Sequence, residues 1–130
     1  MIDKHVKTIA LCGALLCLFG VAIGAFGAHA FKDILVANQR EGVYDLANRY
    51  QFYHGLGLIL IAALFKGSGE KPGLKIIGML MVLGSLIFSG SLYLLALLNL
   101  TWLGAVTPIG GLLLLLAWGL LLLKIVAWGR

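Results

Sequence analysis

Long apolar runs alternate with short polar stretches along the whole chain, and this alternation predicts the elements. The first run lies within 6–30, the second ends at Phe65, the third lies within 74–98 and the fourth ends near Trp128. At about 1.5 Å rise per residue, a helix of about 20 residues crosses a hydrocarbon core of about 30 Å. The second run is short when counted from Gln51, so its helix is expected to begin in the preceding polar stretch, near Gly42 or Tyr44. The expected spans are therefore 6–30, 44–65, 74–98 and 104–127, with an outer polar connection at 31–43 and a loop at 66–73. The fold class this predicts is all-α: a polytopic membrane protein of four transmembrane helices in an antiparallel bundle, forming a single domain over 1–130.

Small residues punctuate these runs. Gly20 and Gly24 are four apart, and Gly27 follows in the next turn. Such spacing lets a neighbouring backbone approach closely. Ser85 and Ser89 repeat the spacing in the third span, and Gly110 with Gly111 keeps the start of the fourth narrow. These residues read as helix-packing positions. Pro108 admits two readings. Either Thr107 caps a helix with Pro108 in its first turn, or Pro108 kinks a helix begun at Trp102; the first is preferred. Asp33-Ile34-Leu35-Val36 in the outer connection suits a short interfacial turn.

Composition sharpens the class. Of 130 residues, 62% are hydrophobic and 12% charged, and mean hydropathy is +1.05, far from a soluble domain of this size. The net charge of +5 does not point to nucleic acid, because the cations flank apolar runs and form no basic stripe with aromatics. Lys4, Lys7, Lys66, Lys71, Lys75, Lys124 and Arg130 fall on one side, against Lys32, Arg40 and Arg49 on the other. Positive-inside then places both termini in the cytoplasm and the first connection outside. Cys12 and Cys17 are five apart in one helix, too divergent to bridge, and read as packing residues. Ala28-His29-Ala30 imitates a signal-peptidase site, but the 23-residue run from Thr8 to Ala30 exceeds a signal h-region, so the span is expected to be retained.

Candidate chemistry comes last, because it changes the picture least. His29, Gln51, His54, Ser89, Tyr93 and Thr107 all fall at depths in the outer half of the bilayer, while the inner half has few polar side chains. Polar groups in lipid seek partners within the bundle. The preferred reading is a network that locks the helices in register. The sharper alternative is a ligand-binding or transport site using His29 and His54, since imidazole titrates near neutrality. No metal or cofactor is expected, because a third strong ligand is missing at that depth. No nucleophile elbow, phosphate loop or catalytic carboxylate pair occurs, so the chain is expected not to be an enzyme. Partners reduce to membrane lipid, and the surplus of small-residue spacings predicts a homo-oligomer.

The motifs Gly24-Ala25-Phe26-Gly27-Ala28-His29, Tyr50-Gln51-x-Tyr53-His54, Phe88-Ser89-Gly90-Ser91-Leu92-Tyr93 and Val106-Thr107-Pro108-x-Gly110-Gly111 together resemble the YgdD-like family. This is a family of small four-helix bacterial membrane proteins of unknown function, with a similar small transmembrane protein in animals. The resemblance covers nearly the whole chain, with mild departures such as Tyr53 where Phe is frequent. It implies four spans and a bacterial plasma membrane location. It carries over no catalytic or binding residue.

Overall fold

The structure is a computed structural model that describes residues 4–67 and 73–127. Among these the architecture is all-helical. Helix α1 is Lys4–Ala28, α2 is Lys32–Asn38, α3 is Glu41–Leu64, α4 is Leu74–Leu98 and α5 is Thr107–Val126, with a 3₁₀ segment at Thr101–Ala105. The middle of the expected loop at 66–73, with Lys71, lies outside the described residues, as does Arg130.

Among the described residues, three segments are long and apolar enough to cross a membrane: Lys4–Ala28, Leu74–Leu98 and Thr101–Val126. Helix α3 has 24 residues, about 36 Å at about 1.5 Å each, but it carries Asn48, Arg49 and Gln51 in its first half and His54 just past its middle. It begins at Glu41, nearly three turns ahead of Gln51, in keeping with the shortness of the apolar run. The connection at 31–43 is more ordered than its polarity suggests, since α2 occupies most of it. Leu35 is the apolar anchor of α2, and Asn38 Nδ2 donates to Ala96 O at 3.0 Å and Leu97 O at 3.2 Å. That amide supplies a donor to carbonyls in the last turn of α4, which have no following turn to bond them.

Both readings of Pro108 are partly realised. The chain from Thr101 turns as a 3₁₀ segment, and α5 then starts afresh with Pro108 in its first turn, where a missing N–H costs nothing. Thr107 is the first helical residue and does not cap; its hydroxyl lies 3.2 Å from Leu103 O and 2.7 Å from Ser91 Oγ.

Successive long helices are antiparallel. Helix α1 packs along α3, α3 along α4 and α4 along α5, with a lesser approach of α1 to α4. The α1–α3 register is read from glycines. A Cβ on Gly13 would fall 2.6 Å from Gly55 O, one on Gly24 2.9 Å from Asn48 Oδ1, and one on Gly27 inside the Tyr44 ring. Gly20 faces the Phe52 ring in the same seam. Between α4 and α5, Gly84 meets Leu114 and Gly110 lies against the Phe88 backbone. Gly111, read with Gly110 as a packing pair, is different: a Cβ there would reach no closer than 3.8 Å to Phe88. Toward the lysine-rich end the interior is apolar, with Ile9, Leu58, Ile61, Ile77, Met81 and Leu121 in one cluster.

Candidate functional site

The polar interior belongs to α3. Tyr44, Asn48 and Gln51 are spaced four and three apart, so they share one face of the helix. That face lies on the glycine seam of α1, and each side chain donates to an α1 carbonyl. Tyr44 Oη bonds Ile23 O at 2.6 Å, Asn48 Nδ2 bonds Gly20 O at 2.8 Å, and Gln51 Nε2 bonds Leu16 O at 2.8 Å. A helical carbonyl already accepts one N–H from four residues on, and its second lone pair is open to a side chain that comes close enough. Gly20 and Gly24 expose the α1 backbone and permit that approach.

Helix α4 closes the network from the other side. Tyr93 Oη accepts from Asn48 Nδ2 at 3.1 Å and donates to Gln51 Oε1 at 2.8 Å. Ser89 Oγ donates to Ala47 O at 2.7 Å. The Tyr44 and Tyr93 rings meet edge-on with centroids 5.0 Å apart. Gln51 and Ser89 are only 6% and 2% exposed, so these groups meet each other rather than solvent. Both Asn48 amide protons have acceptors, and the Tyr93 hydroxyl both accepts and donates. The seam runs from mid-length of α1 to the last turns, leaving the lysine-rich half apolar.

The six candidate residues therefore separate. Gln51, Ser89 and Tyr93 lie in the α1–α3–α4 seam. Thr107 lies on the opposite flank of α4, against Ser91, whose hydroxyl donates to Phe88 O at 3.0 Å. His54 is buried, with Nδ1–H donating to Tyr50 O at 2.6 Å and its ring facing Trp118 at 6.1 Å. It lines an apolar cleft of about 560 Å³ shared with Phe88, Pro108 and Trp118. His29 stands apart from all of these: α1 ends at Ala28, and His29 is exposed on the turn that follows. His29 and His54 do not meet: in the antiparallel α1–α3 register Gly27 lies at Tyr44 and Gly20 at Phe52, so His29 is about three turns of α3 away from His54. No group of three or more potential metal ligands forms among the described residues.

Two members of the seam, Tyr44 and Asn48, escaped the sequence reading. Tyr44 stands in the sequence only as a candidate start of the second span, and Asn48 sits between the charged Asp45 and Arg49. The available signal was their common face with Gln51. Ser85, expected to pack, does so at 1% exposure, yet its hydroxyl has no hydrogen-bond partner. An unpartnered buried hydroxyl costs about 1–3 kcal/mol. Ser85→Ala is accordingly expected to raise stability by about 1 kcal/mol in detergent unfolding, whereas Ser89→Ala lowers it by a similar amount. A loss at Ser85 equal to that at Ser89 would contradict the assignment.

These features define a class: a small helical membrane protein whose polar side chains are spent on one another and on backbone carbonyls within the bundle. Residues 23–111 match the family described as Protein of unknown function (DUF423), and the chain belongs to it. Among its relatives, a UPF0382 membrane protein of Staphylococcus haemolyticus is 43% identical over 119 residues, covering 91% of this chain and 94% of the relative. The UPF0382 membrane protein YwdK of Bacillus subtilis is 35% identical over 112 residues, covering 86% and 90%. No solved structure matches. The chain is thus a member of a bacterial membrane protein family of unknown function.

Proposed function

We propose that this protein is a non-enzymatic structural or partner-binding module of the bacterial plasma membrane, crossing it four times with both termini in the cytoplasm. The observation that carries this reading is the closure of the α3 polar face. Tyr44, Asn48, Gln51 and Tyr93 bond one another and α1 carbonyls, so the residues that would serve a substrate serve the fold. The fourth crossing is supported by the length of α3 and by the burial of Gln51 and His54, while its exposed charges, Glu41, Asp45 and Arg49, lie in its first turns. The orientation is supported by Lys4, Lys66, Lys75 and Lys124 gathering at one end. The YgdD-like motif set supports the same four-span plan.

The test compares stability with transport. Gln51→Leu and Tyr93→Phe are expected to lower the unfolding midpoint in detergent, while liposomes containing the wild type show no solute flux above empty vesicles. Flux through the wild type that Gln51→Leu abolishes without unfolding the protein would overturn the reading.

A second reading, a small channel, transporter or ligand-binding protein, has one observation in its favour: His54 lines a cleft between α3 and α5. With His29 exposed on its turn, this reading rests on His54 alone. His54→Phe would then change binding or flux between about pH 5 and 8, where imidazole titrates. An unchanged profile would dispose of it. The homo-oligomer is a further proposal, and a monomeric mass in native micelles would count against it.

A further inference from the structure

A second cleft, on the side of the bundle away from the α5 cleft, has a different character. Helices α1 and α4 run in the same direction, and both begin at the lysine-rich end. They approach each other only weakly. The floor of the space between them is the contact of Ile9 with Gly78, where a Cβ on the glycine would come within 2.8 Å of Ile9 Cγ1. Beside that contact lies a groove of about 500 Å³. Its walls deepen through Cys12 on α1 and Met79 and Val82 on α4, which are apolar. Its mouth is lined by Lys4, His5 and Lys75, all in the first turns of their helices.

Charge and shape change together along this groove. From Lys4 to Cys12 the helix rises about 12 Å, the scale of a headgroup-to-acyl transition rather than of a whole leaflet. The mouth combines two ammonium groups, on Lys4 and Lys75, whose charge favours an anion. The inner walls offer hydrocarbon and sulfur, and the one hydroxyl among the lining residues, that of Thr8, donates to Lys4 O. A small inorganic anion would use the mouth and leave the groove empty; a peptide would need backbone partners that the walls lack. Basic sites between membrane helices suit anionic headgroups.

We propose that this groove binds an anionic phospholipid, with the phosphodiester at Lys4 and Lys75 and one acyl chain along Cys12, Met79 and Val82. The recognition is for a headgroup of net negative charge, and the zwitterionic lipids of the same membrane bind less tightly because their amine offsets the phosphate. The site lies between α1 and α4, clear of the polar seam, so it does not depend on whether that seam is structural.

The experiment uses the full chain in neutral detergent at low salt, with bound lipid counted by native mass spectrometry. The probes are phosphatidylglycerol, phosphatidylcholine of matched chains, and soluble glycerol phosphate. Phosphatidylglycerol is expected to be retained about thirtyfold over phosphatidylcholine, the preference that two interfacial lysines supply. Lys4→Gln with Lys75→Gln should abolish that preference, and Lys32→Gln at the opposite end should preserve it. Val82→Trp fills the groove with the lysines intact and should reduce phosphatidylglycerol retention at least tenfold; Cys12→Phe does so from the other wall if Val82→Trp fails to fold. Equal retention of both lipids by the wild type would overturn the proposal, as would a preference that survives the double lysine change. Full retention in the groove-filling variants would reduce the site to surface charge. Displacement of the lipid by glycerol phosphate would make it a phosphate site instead.

Discussion

Gly110→Val is expected to destabilise the bundle by about 3 kcal/mol, the upper range for forcing side-chain atoms into a filled interior. A Cβ at Gly110 would lie against the backbone nitrogen of Phe88, with Phe88 Cα at 2.8 Å and Gly84 O at 2.9 Å. These are backbone atoms and cannot rotate aside, so α5 must move off α4. Leu114 and Ala117, at 5% and 0% exposure on the same face, would lose contacts with it. Gly111→Val is the control. Its Cβ would meet only the Phe88 ring, at 3.8 Å, and the expected cost is below about 1 kcal/mol. Both substitutions sit in the same turn, so differences in helix propensity largely cancel. Unfolding in mixed micelles read by circular dichroism would decide, and equal losses at the two positions would refute the packing described.

Asn48→Leu is the second large effect, expected at about 2 kcal/mol. Side-chain hydrogen bonds in membranes average about 0.6 kcal/mol and reach about 1.7, and Asn48 makes two. Leucine also places a branched end over Gly24, where the Asn48 amide now fits closely. The diagnostic is coupling. Tyr93→Phe removes the hydroxyl that Asn48 donates to, so Asn48→Leu with Tyr93→Phe should cost less than the sum of the two. Thr107→Val breaks the contacts with Ser91 and Leu103 O on the far flank of α4, so its effect should add to that of Asn48→Leu within about 0.5 kcal/mol. A double-mutant cycle that shows additivity for Tyr93 would dissolve the network into separate contacts.

The two outcomes bear on different features of the chain. The Gly110 result concerns a glycine that the short Thr107-Pro108-Ile109-Gly110-Gly111 segment already marked as a narrow place. The Asn48 result concerns a residue whose role depended on which carbonyls lay opposite. Every helix offers carbonyls at every level, and nothing in the sequence distinguishes those of Leu16, Gly20 and Ile23 until α1 and α3 are set in register.

Much of the fold was legible for a physical reason. Hydrocarbon demands long apolar helices, so the bounds of α4 and the early start of α3 followed from run lengths and the thickness to be crossed. Close-approach glycines were legible because a missing side chain matters wherever helices touch. The sequence by itself thus determined a helical membrane protein, its lysine-rich end and the seam positions Gly20, Gly24 and Gly27. Depth along a helix follows from residue count, but azimuth between helices does not. Only the tertiary structure decided that Tyr44 and Asn48 join Gln51 and Tyr93, that Ser91 takes Thr107 to the other flank, that His54 faces α5, and that His29 turns away. Each depends on the rotation of one helix about its axis relative to its neighbour, and that angle is fixed by packing across the whole bundle.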